Sequence, residues 1–107
     1  TYRFWVGHFT GLDQTDFIGS AAVTDITDVK NLYKDVDTLV NNFLKYVNAT
    51  IDLPITNKVP KRELSLTLTP LQLFTHVITH EYHHKGQLLA MSRHLGYTPI
   101  DTDLIRF

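Results

Sequence analysis

An all-α fold on the plan of a four-helix bundle is what this sequence predicts, on three observations. Two stretches, residues 27–47 and 70–95, carry apolar side chains at three- and four-residue spacing; an aromatic run opens the chain and stops at a glycine; and a long aperiodic segment follows that glycine. Three helices with one long crossover describe part of a four-helix bundle, the architecture in which metal sites are built from side chains on facing helices.

The opening, Thr1-Tyr2-Arg3-Phe4-Trp5-Val6, has no initiator Met and is apolar from its first residues. It reads as the last turns of a helix whose beginning lies before this numbering, so the bundle's first helix and part of its second are expected to be missing. Gly11 closes that helix. Residues 12–24 hold Asp, Gln, Gly19 and Ser20 without a period and read as a long crossover loop. A second helix is expected from near Thr27, where Asp28 favours the positive end of the helix dipole. Leu32, Val36, Leu39, Val40, Phe43, Leu44 and Val47 then form its apolar stripe, while Lys34, Asp35, Asp37, Asn41 and Lys45 occupy a wet face. Leu53-Pro54-Ile55 and Leu64-Ser65-Leu66-Thr67-Leu68 are short extended pieces, the second alternating cleanly, and predict a short β-hairpin before the last helix. Pro54 and Pro60 bar the first piece from a central strand.

The last helix is the best signalled. Thr69 can cap it, Pro70 suits its first position because its missing N–H costs nothing there, and Gly96 can stop it in a left-handed turn. Five of the six histidines fall between His76 and His94, and the densest part reads His80-Glu81-Tyr82-His83-His84. At about 100° per residue from His76, Leu73, Val77, Leu88, Met91 and Leu95 fall within roughly 60–120°, with His80 near 40° and His84 near 80° in or beside that arc. Two imidazoles directed at a core carry a desolvation cost unless each finds a partner. One divalent cation would partner both, since side chains four apart on a helix stack on one face. Imidazole suits zinc, nickel, copper or iron, and ligand type alone does not choose among them.

His80-Glu81-x-x-His84 is also the short zinc-protease signature, with Glu81 as general base. The downstream ligand argues against that reading. His94 lies about 15 Å beyond His84 along the same helix, and the longer signature's Gly and His positions hold Gln87 and Ala90.

Composition narrows the field. A chain of 107 residues, 43% apolar, fits a single soluble domain with one modest core. A formal charge of −1 supplies no basic field for nucleic acid and no polybasic patch for a membrane surface. With no cysteine, neither disulfides nor thiolate ligands are available, which fits a cytoplasmic protein. No signal peptide or membrane span is visible, and Asn48-Ala49-Thr50 is a sequon of the sort that arises by chance.

Thr79-His80-Glu81-Tyr82-His83-His84-Lys85-Gly86-Gln87-Leu88, then Leu95-Gly96-Tyr97-Thr98-Pro99 and Asp101-Thr102-Asp103-Leu104-Ile105, resembles the closing helix and tail of the DinB family, the DinB/YfiT-like metalloenzymes. The likeness is dense over residues 69–107 and looser upstream, where Phe4-Trp5 resembles the aromatic end of the family's second helix. What the resemblance implies is a four-helix bundle, commonly a homodimer, that binds nickel or zinc through three histidines. Two of these match His80 and His84. The third belongs to a part expected before Thr1, so this chain departs from the pattern; His8 is the only upstream histidine and follows the aromatic pair instead of preceding it.

The expectation is therefore a metal-dependent enzyme of hydrolase or thiol-transferase type acting on a small molecule, with His80, His84 and His8 as candidate ligands. Glu81 and His83 are candidates to orient ligands or move protons. The alternatives are a damage-inducible, metal- or ligand-binding stress protein without turnover, and a purely structural bundle.

Overall fold

The computed structural model describes residues 1–103; Leu104 and Ile105 of the tail motif lie outside the described residues. A π-helical segment, Arg3–Phe9, and a 3-10 turn, Ser20–Ala22, precede helix α1 (Ile26–Val47). Strands β1 (Ile55–Lys58) and β2 (Ser65–Leu68) follow, and helix α2 (Pro70–His94) closes the series. The chain is thus mostly helical with the small hairpin expected ahead of the last helix. Two compact units divide it, Thr1–Val77 and Ile78–Phe107, and the division falls inside α2.

In the first unit the core is Val6, Phe9, Leu39, Phe43, Val47, Val59, Leu73 and Val77, with Trp5, Ile55, Leu66, Leu68 and Phe74 packed against it. Three of the expected α1 positions, Leu39, Phe43 and Val47, are four residues apart and form its buried stripe, whereas Leu44 is exposed. The α1 start differs slightly from the expectation. Asp25 caps it, accepting from the backbone N–H groups of Thr27 (2.6 Å) and Asp28 (3.0 Å), while Asp28 accepts in return from the Asp25 N–H (3.3 Å). This reciprocal capping box satisfies donors that the first turn otherwise leaves unpaired.

The opening segment is wound as a π-helix and not as α-helical turns. It ends as expected at Gly11, whose φ of +81° is the left-handed turn that glycine adopts without steric cost. The Leu12 N–H reaches back to the Gly7 carbonyl (3.0 Å) and the Gly11 N–H to that of His8 (3.3 Å), a Schellman closure. Gly7 is closely packed: a Cβ there would stand 3.0 Å from the Asp13 Cβ, tight enough that the Asp13 side chain would have to give, and 3.5 Å from Leu39. Arg3 meets Asp35 at 3.3 Å, and position 7 faces Leu39, so contacts advance in the same direction along both helices. A long crossover produces that parallel register, whereas a short loop would make the neighbours antiparallel.

β1 and β2 pair antiparallel, with Ile55 opposite Leu68 and Asn57 opposite Leu66. Ile55, Leu66 and Leu68 turn toward the core, and the Thr56 and Thr67 hydroxyls meet across the strands at 2.8 Å. The Asn57 amide donates to the Phe9 carbonyl at 2.7 Å, tying the hairpin to the end of the opening segment.

α2 begins as the sequence predicts. The Gln72 N–H donates to the Thr69 hydroxyl (3.1 Å) and the Thr69 N–H to the Gln72 side-chain oxygen (2.8 Å), a second capping box. Its closure repeats that at Gly11: Gly96 has φ +83°, the Tyr97 N–H reaches the Ser92 carbonyl (2.9 Å) and the Gly96 N–H that of Arg93 (3.0 Å). The apolar arc is buried only in its first two turns, at Leu73 and Val77. Leu88, Met91 and Leu95 are 59%, 52% and 74% exposed, so the inward-facing stripe expected along the whole helix does not extend into the second unit.

Candidate metal centre

His80 and His84 stand one turn apart in the second unit, on an uninterrupted stretch of α2. Their Nε2 atoms are 3.0 Å apart and their rings meet edge to face, 4.6 Å between centroids. Two nitrogens on one cation, each at about 2.0–2.1 Å and subtending roughly 90–110°, stand about 2.9–3.4 Å apart. The separation of the two donor atoms therefore matches that of two nitrogens on one divalent cation. His80 is half-buried and His84 exposed, so the desolvation expected of both rings holds only in part.

Around the pair, His83 sets its ring at 64° to that of His84, centroids 5.3 Å apart. Glu81 is 28% exposed and accepts from the Lys85 ammonium at 2.7 Å, an i, i+4 ion pair. Lys85 also lies 5.1 Å over the Tyr82 ring.

Gln87 was not among the expected site residues. Its side-chain oxygen sits 2.7 Å from His84 Nδ1, the contact that the i, i+3 spacing on a helix permits.

His8 belongs to the first unit and is held there from two sides. Its Nε2 donates to the Thr15 carbonyl at 2.7 Å, so that nitrogen carries a proton, and its ring stacks on Phe17 with centroids 4.3 Å apart. Lys61 lies 4.3 Å over the same Phe17 ring. The Thr15 N–H binds the Asp13 carboxylate at 2.8 Å, which holds Asp13 below the usual carboxylate range. An open hollow of about 520 Å³ is lined here by His8, Gln14, Asp16, Phe17, Pro60 and Lys61.

His76, also in the first unit, packs edge-on to Trp5 at 5.3 Å. Among the described residues, no group of three or more His, Asp or Glu side chains is gathered to hold a metal ion. Nor is any helix among them long and apolar enough to cross a membrane.

The sequence profile of the DinB family matches residues 1–107, the whole chain. No curated protein and no solved structure matches it.

Proposed function

The chain belongs to the DinB family over its whole length, and on that premise we propose a metal-dependent enzyme built on the four-helix-bundle plan. Its reaction is hydrolysis or thiol transfer on a small molecule, at a nickel or zinc ion held by His80 and His84. The approach of the two Nε2 atoms to 3.0 Å carries this reading. The chemistry that such a cation supplies is Lewis acidity, enough to ionise water or a substrate thiol near neutral pH.

The side chains divide the remaining work. His80 and His84 present lone pairs from one helical face and leave the other coordination positions to water, substrate or a further donor. His83, edge-on to His84, is placed to accept and pass on a proton beside the pair. Glu81, ion-paired to Lys85, fixes the helix surface next to His84 and offers a carboxylate oxygen as acceptor. The exposed row of Leu88, Met91 and Leu95 suits the homodimer that the resemblance implies, and the lack of cysteine suits a cytoplasmic setting.

A second reading, a metal- or ligand-binding protein without turnover, is favoured by the exposure of His84 and by a set of two histidines where three are expected. Elemental analysis of the purified protein, with ester, amide and glutathione-like thiol-transfer assays before and after adding nickel or zinc, separates the two. The enzyme reading expects turnover that follows metal content and disappears in His80→Ala and in His84→Ala. Bound metal without turnover leaves the second reading, and metal uptake equal in wild type and both variants sinks both.

A further inference from the structure

Resting on the metal reading above, we propose that Gln87 is the positioning residue of the centre: its side-chain oxygen locks His84 in the tautomer that leaves Nε2 free to bind a cation. The 2.7 Å contact joins an amide oxygen, which can only accept, to Nδ1, which must then carry the ring proton. In neutral imidazole one nitrogen holds the proton and the other the lone pair, so His84 Nε2 is bare. Free neutral histidine prefers the opposite arrangement, with the proton on Nε2. An acceptor at Nδ1 is what reverses that preference, as the hydrogen-bond partners of metal-bound histidines commonly do.

The same logic fixes the other ring. His84 Nε2 is bare and lies 3.0 Å from His80 Nε2, so His80 is the donor across that contact in the metal-free protein. The proton chain runs from His80 Nε2–H to His84 Nε2, and from His84 Nδ1–H to Gln87. Binding a cation between the two Nε2 atoms therefore requires His80 to give up its Nε2 proton. His84 is already in its ligand form, and the two histidines are inequivalent although both serve as donors.

Gln87 is exposed and mid-helix, so Gln87→Leu removes the acceptor with little demand on the fold. Gln87→Glu keeps it. Long-range ¹H–¹⁵N spectra of the labelled chain at pH 8 read each ring's tautomer, and calorimetric titration with zinc reads affinity. Wild type is expected to show His84 protonated on Nδ1 with and without zinc, and His80 switching from Nε2–H to Nδ1–H on loading. In Gln87→Leu, His84 reverts toward Nε2–H and zinc binds about 10–100-fold more weakly, while Gln87→Glu restores both. A His84 tautomer unchanged in Gln87→Leu, or measurable zinc binding of equal affinity in wild type and Gln87→Leu, overturns the proposal. If wild type binds neither zinc nor nickel while the tautomers respond as stated, the role of Gln87 stands and the metal reading fails.

Discussion

Replacing Phe43 by Ala tests the packing from which α2 departs. Phe43 is 1% exposed, lies on the buried stripe of α1 between Leu39 and Val47, and stacks on Phe74 of α2 at 6.5 Å between centroids. Burying a phenylalanine removes on the order of 150–200 Å² from water. At about 25 cal/mol per Å² that is about 4 kcal/mol, in line with the roughly 3–5 kcal/mol seen when a buried aromatic is cut to Ala and a cavity is left. A chain of this length has a total stability of about 5–15 kcal/mol, so the variant loses from a quarter to nearly all of it. Its melting temperature should fall by at least about 12 °C, at about 4–8 °C per kcal/mol. Urea and thermal unfolding followed by circular dichroism measure this, with Tyr46→Ala as control on the same helix. Tyr46 is 57% exposed and its loss should cost under about 0.5 kcal/mol. Equal costs for the two variants, or less than about 1 kcal/mol for Phe43→Ala, would mean that α1 buries another face.

Three further outcomes follow from local geometry. Backbone N–H groups hold Asp25 and Asp28 below their usual value of 3.8, so their contribution is present above that value and is lost as pH falls through the lower folded-state values. Acid titration of stability should therefore steepen below about pH 4, and Asp25→Asn, which still caps, should flatten the slope; an unaltered slope contradicts this. Asn57→Ala strips the Phe9 carbonyl of its donor and should lower stability by about 1–3 kcal/mol in urea titration, whereas no change would show that water replaces the amide freely. Gly11→Ala should cost about 1–2 kcal/mol from its φ of +81° alone, because nothing lies within 4 Å of the added Cβ; Gly19→Ala, equally open and without positive φ, should be neutral by the same thermal melt.

The long helices were legible because their signals are local. Thr69, Pro70 and Gly96 mark the ends of α2, and the three- and four-residue spacing marks the stripe of α1. The α1 cap was displaced because its box ends in Asp28, where the commoner pattern has Glu or Gln. The π-winding of Arg3–Phe9 left no mark in sequence, since the close contact at Gly7 and the packing of Val6 and Phe9 are tertiary. Periodicity placed His80 and His84 on one face with Leu88, Met91 and Leu95, but a shared face does not say what covers it. Gln87 is legible from its i, i+3 spacing to His84, but a neutral amide carries no chemical signal of its own in the sequence.

Because Leu73 and Val77 are sealed while the later apolar positions of α2 meet solvent, the helix is unevenly anchored along its length. Amide hydrogen exchange should be slow through residues 74–78 and quicken toward His94, with the C-terminal turns opening at a fraction of the global unfolding energy. The imidazole pair sits just past this gradient's steep part. An occupant there would act as a clasp across one turn, slowing exchange locally before any change in overall melting is seen.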